Sequence, residues 1–297
     1  MIRFVLLMCL ATVCAAQTAV DIEGAASLYQ AAAMREQVRA SLGAMPEHIR
    51  QLFAADASAK MTEPQLAAVT AAAARGFRID IFEVPALQAL AANLDLSTLN
   101  KIDAFLESDL GKRMVAADVA EAKIGEANID KVMNGEITAP STPKRDALFD
   151  KLERATRSAE STVQIFLDMG QAVAVGTAVG SGMDPVAVGE RARKSGEASR
   201  AGLEENMRLP MRRFMAYGYR DMSDSDLKQL LAFLESAPGK RYVAAYNASM
   251  GAGFNAMGRR TGEQLGETLR EMAQADLAPP PEVLPPPARV AAPNSTP

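Results

Sequence analysis

The chain has 297 residues, of which 48% are apolar, 23% charged and 5% aromatic, the composition of a globular protein with room for two domains of ordinary size. A formal net charge of -4 argues against a nucleic-acid binder, because neutralising a phosphate backbone takes a basic face. Two cysteines and a single histidine leave no multi-imidazole or thiolate zinc site within one chain, and no cofactor is implied.

In chain order, the first predicted element is a secretory signal over residues 1–16. Arg3 supplies the positive start, Phe4 to Val13 is apolar apart from Thr12, and Cys14-Ala15-Ala16 offers small residues before Gln17. Cleavage is expected after Ala16, with the mature chain periplasmic or secreted. The apolar run is far shorter than the roughly 20 residues of a membrane anchor, and the bulky Val13 before Cys14 disfavours lipid modification. Both cysteines, Cys9 and Cys14, fall in the removed segment, so the mature chain is expected to have no thiol and no disulfide.

Residues 17–133 form the first predicted helical module, since apolar residues recur at three and four and no segment sustains strand alternation. Gly43 and Gly76 sit where helices should stop, and Thr62 with Gln65 has capping-box spacing. His48 reads as an ordinary surface histidine at a helix start, because no nucleophile motif accompanies it. Residues 134–144, NGEITAPSTPK, read as a linker between two modules, each with its own core.

The second predicted module spans 145–277. Within it, 169–183 is apolar and glycine-rich but bracketed by Asp168 and Asp184, which favours a buried helix packed tightly on its neighbours over a membrane span. If it lined a cavity, its small side chains would leave room for an apolar ligand. Asp184-Pro185 opens the next helix. Met207, Met211, Met215 and Met222 read as core filler rather than a copper(I) site. Ser223 and Asp226 repeat the capping-box spacing, and Leu227, Leu230, Leu231 and Leu234 form one apolar stripe. Residues 278–297 hold eight of the sixteen prolines and are expected to be a disordered, semi-rigid spacer. Residues 17–140 carry 11 cationic and 17 acidic side chains, and 141–277 carry 19 and 18, giving -6 and +1. The second module, with Arg191, Arg193, Lys194, Arg208, Arg212 and Arg213, could thus meet anionic lipid or glycan. The fold class expected is all-α, with two tandem antiparallel helical-bundle modules of roughly five or six helices each.

The modules are related at an offset of 128 residues. AFLESDLGKRMVAA at 104–117 meets AFLESAPGKRYVAA at 232–245, with eleven of fourteen positions identical, and Ser97, Leu99 and Ile102 upstream face Ser225, Leu227 and Leu230. Both copies sit at a helix break. Phe105, Phe233, Leu106 and Leu234 are expected core anchors, Ser108 and Ser236 can cap the following helix, and Gly111 and Gly239 allow another helix to approach. Lys112, Arg113, Lys240 and Arg241 are expected to face solvent or to pair with Glu107 and Glu235. These residues read first as a structural corner with surface cations, and second as a site for an anionic partner at a helix N-terminus. Gly239-Lys240 lacks the glycine and hydroxyl pattern of a phosphate-binding loop.

Phe-Leu-Glu-Ser followed by Gly-Lys-Arg, entered through Met222-Ser223-Asp224-Ser225-Asp226-Leu227, resembles the core signature of the bacterial domain-of-unknown-function 2059 family, best over about 210–255. The copy at 94–122 is similar, with Asp109-Leu110 where the other has Ala237-Pro238. The resemblance implies a Gram-negative secreted or periplasmic helical protein and no catalytic residues. The leading functional expectation is a non-catalytic protein that binds envelope protein, lipid or glycan. A carrier of an apolar ligand in a cavity around 169–183 and a carboxylate-dependent cell-wall hydrolase follow in that order.

Overall fold

The computed structural model describes residues 19–55, 60–124 and 126–277, so the expected signal segment and the proline-rich tail lie outside the described residues. The protein is all-α. Among the described residues there is no strand, only a single antiparallel bridge between Ala19 and Asp95.

The first half contains α1 (Ile22–Ala31), α2 (Met34–Leu42), α3 (Met45–Ala55), α4 (Glu63–Gly76), α5 (Ile79–Ala92), α6 (Leu96–Leu106), α7 (Asp109–Ala122) and α8 (Glu126–Asn134). The second contains α9 (Pro143–Thr156), α10 (Ser158–Ser181), α11 (Pro185–Gly218), α12 (Asp224–Glu235) and α13 (Ala237–Leu277). The starts follow from local chemistry. Thr62 with Gln65 and Ser223 with Asp226 form complete capping boxes on α4 and α12. The Asp184 carboxylate accepts from the Val186 amide, with Pro185 in the first turn of α11.

Helix α13 organises the fold. Its 41 residues extend about 60 Å at 1.5 Å per residue. Along one face α5 and α4 run antiparallel to it: the Ser249 hydroxyl donates to the Ala86 carbonyl at 2.9 Å, and Phe82 meets Phe254 edge-on at 5.3 Å. Further along, Gly76 lies against Thr261, and Arg75 donates to Gln264 at 2.6 Å. On an adjacent face lies α10. A Cβ at Gly176 would overlap the Arg259 carbonyl, one at Gly262 the Val173 carbonyl, and one at Gly266 the Thr177 carbonyl. Contacts between Met169 and Gly258, Val173 and Gly262, and Thr177 and Gly266 advance in the same direction, so α10 and α13 are parallel. Helix α11 carries the chain back between them in sequence.

The expectation of two separately cored modules gives way to a different arrangement. One buried cluster includes Leu28, Phe82, Leu90 and Ile102 from before residues 134–144 and Phe149, Leu227, Leu230 and Met257 from after them. The segment itself is organised: Gly135 takes a left-handed φ of 82°, the Glu136 amide reaches the Lys131 carbonyl at 2.8 Å, and Thr142 caps α9. On the face of 169–183 that carries Gly176 and Gly180, the space left by the missing side chains is taken by the backbone of α13. Met215 packs against the core and Met222 is buried, consistent with methionine as filler.

Glycine-to-alanine substitution separates packing from helix propensity. Gly262→Ala is expected to destabilise the protein by about 1–3 kcal/mol, because α10 must move away. Gly202→Ala, exposed on α11 with nothing within 4 Å of its would-be Cβ, is expected to stabilise by about 0.5–1 kcal/mol. Urea denaturation of the two variants checks both signs.

Candidate functional site: the paired helix corners

Each copy of the repeated motif folds into the same corner. At the first, the Gly111 amide donates to the Ser108 hydroxyl oxygen at 3.1 Å while that hydroxyl donates to the Phe105 carbonyl at 2.6 Å. At the second, Gly239 donates to Ser236 at 3.2 Å and Ser236 donates to Phe233 at 2.5 Å. Glycine is required at both places, since a Cβ on Gly111 or Gly239 would overlap the carbonyl oxygen of Phe105 or Phe233. The serine therefore ends one helix and starts the next, and the glycine lets the second helix cross the last turn of the first.

The fold brings the two corners together. The rings of Phe105 and Phe233 stack at 3.6 Å between centroids and 4° between planes, and Phe233 also touches Tyr242. Arg113 pairs with Asp226 at 2.6 Å, reaching the N-terminus of α12 in the other copy. The reciprocal relation is electrostatic: Asp95, which caps α6, has its carboxyl held below the usual range first by the Thr98 amide and hydroxyl, with Arg241 adding to the effect. Asp226 is held low first by the Ser223 hydroxyl and amide, then by Arg113. Each motif arginine thus addresses the helix start of the opposite copy, as a local two-fold relation through the stacked rings requires.

Lys112, Lys240, Arg241, Glu107 and Glu235 are exposed around this centre. The expected pairing of the motif cations with Glu107 and Glu235 is not among the described ion pairs, because Arg113 turns across the interface instead. Between the corners lies an open cleft of about 640 Å³, lined by the two phenylalanines, Ser108, Asp109, Leu110, Arg113, Asp226 and Gln229.

The cations singled out on the second half are largely matched. Arg193 pairs with Glu197 at 2.7 Å, Lys194 with Glu190 at 3.6 Å, Arg208 with Glu205 at 3.6 Å and Arg212 with Asp150 at 3.0 Å. Arg213 donates to the Met133 carbonyl at 3.0 Å. The segment they occupy is therefore a surface laced with ion pairs. His48 is exposed on α3, and among the described residues no group of three or more histidines and carboxylates could hold a metal ion.

A second polar cluster escapes the sequence reading. Asp118 and Glu121, three residues apart on α7, turn toward the end of α11, where the Tyr219 hydroxyl donates to Asp118 at 2.7 Å. The signal available was Asp118 four residues beyond Met114, in line with the buried stripe of α7.

No family model, no curated protein and no solved structure matches the chain.

The corner chemistry sets an order of mutational effects. Gly239→Ala is expected to cost about 1–3 kcal/mol through overlap with the Phe233 carbonyl, and Ser236→Ala about 1 kcal/mol through loss of the cap. Arg113→Ala, at an exposed ion pair, is expected to cost under about 1 kcal/mol. Thermal unfolding of the three variants checks the order.

Proposed function

We propose that the mature chain is a non-catalytic interaction protein of the Gram-negative envelope, related to the domain-of-unknown-function 2059 family, and that it meets its partner at the cleft between the two helix corners. The observation that carries this reading is the convergence of the most strongly repeated residues of the sequence on one open surface feature. The capping serines and the glycines are consumed by the corner itself and Arg113 by its pair with Asp226, while Asp109, Leu110 and Gln229 remain at the cleft for a partner. The signal-like segment at 1–16 supports export. The matching geometry of the two corners fits a duplication within the chain.

The cleft is poorly suited to hydrolysis by a carboxylate pair. Such chemistry needs one carboxyl held protonated, whereas Asp226 is held ionised by Ser223 and Arg113. The apolar-carrier reading is less well supported on the glycine face of 169–183, where α13 fills the space. A protein, lipid or glycan surface of the envelope remains the partner class.

A photo-crosslinking residue placed at Gln229, exposed in the cleft, tests the reading in intact cells. A discrete crosslinked envelope species is expected from Gln229 and not from a control at Arg191, which is exposed on α11. The same pattern at both positions, or no adduct at Gln229, would overturn the assignment of the surface.

A further inference from the structure

The junction between α7 and α11 carries two carboxyls that, among the described residues, have no cation acting on them. Asp118 and Glu121 share one face of α7 and point at the last residues of α11. The Glu121 carboxylate lies directly over Gly218, where a side chain would overlap it, and Asp118 accepts from Tyr219. Among the described residues, the titratable groups coupled to the pair from neighbouring elements are phenols: Tyr219 from α11, Tyr242 and Tyr246 from α13, with Tyr29 from α1 behind Tyr246. Helix α2 contributes the neutral Gln37, which accepts from Tyr246 at 2.8 Å, and Asp103 on α6 is influenced by Glu107 rather than by this pair. The end of α11 cannot easily yield, because Arg145 donates to the carbonyls of Tyr219, Arg220 and Met222.

We propose that Asp118 and Glu121 form a proton-loaded latch that closes α7 onto the end of α11 when both carboxyls are protonated and loosens when they ionise. Two ionised carboxylates three residues apart repel each other, and with α11 anchored through Arg145, the C-terminal half of α7 is the side that moves. Burial pushes the Asp118 carboxyl up to about 7, against the hydrogen bond from Tyr219, which opposes the shift. Burial also raises Glu121, and the neighbouring Asp118 raises it further. Burial keeps Tyr219, Tyr242 and Tyr246 protonated throughout. A carboxyl with a raised folded-state proton affinity is protonated in the folded chain and ionised in the unfolded chain across the window between its two values. Folding there takes up protons, and stability falls as pH rises from about 4 through about 7.

Hydrogen exchange of the full mature chain at about pH 5.5 and about pH 8.5, corrected for intrinsic rates, tests the latch. Protection over the C-terminal half of α7 is expected to fall by about tenfold or more at the higher pH, while amides of α4 and α5 hold theirs. In the Asp118→Asn, Glu121→Gln double variant the α7 protection is expected to be the same at both values. Equal loss across all helices, or a wild-type α7 unaffected by pH, would overturn the proposal. Should the double variant not fold, carboxyl carbon titration of the wild type by NMR decides: Asp118 and Glu121 titrating at ordinary carboxylate values would refute the latch.

Discussion

The backbones of α10 and α13 touch because Gly176, Gly180, Gly258, Gly262 and Gly266 carry no side chain to hold them apart. Glycine in a helix interior costs about 1 kcal/mol relative to alanine, and close packing of two long helices offsets it through many small dispersion contacts. A 41-residue helix with glycines at 251, 253, 258, 262 and 266 is poorly suited to stand alone. It needs α10 on one face and α4 and α5 on another. Because α4 and α5 precede residues 134–144 and α10 follows them, satisfying α13 joins the two halves of the chain into one core.

That same helix places the candidate site. Helix α13 begins at the second corner, so its N-terminus is fixed where Phe233 stacks on Phe105 and Arg113 reaches Asp226. The stacking residues and caps are structural, and what they leave outward is a small, mixed polar and apolar cleft. Within it the Asp226 carboxylate is stabilised in the ionised form by Ser223 and Arg113. The more strongly raised carboxyls, Asp118 and Glu121, lie elsewhere, toward the other end of α7.

Much of this was legible from local sequence. The boxes at Thr62 and Ser223, the Asp184-Pro185 start, the leucine stripe from Leu227 to Leu234 and the tight packing of 169–183 depend on residues a few positions apart, and the structure contains each of them. The corner was legible too, down to the capping roles of Ser108 and Ser236. What periodicity does not encode is the identity of the element across a buried face. Gly135 and the prolines after it signal a break in helix, but a break says nothing about whether the flanking helices pack on each other. The parallel pairing of α10 with α13, the turn of Arg113 toward Asp226 instead of Glu107, and the meeting of Asp118 with Tyr219 all join residues roughly a hundred positions apart, beyond the reach of any local pattern.

Scanning calorimetry of residues 17–297 tests the shared core most directly. If α13 binds both halves into one cooperative unit, a single transition is expected, with calorimetric and van't Hoff enthalpies equal. Two resolved transitions, or a calorimetric enthalpy well above the van't Hoff value, would mean that the halves unfold separately and would contradict the account.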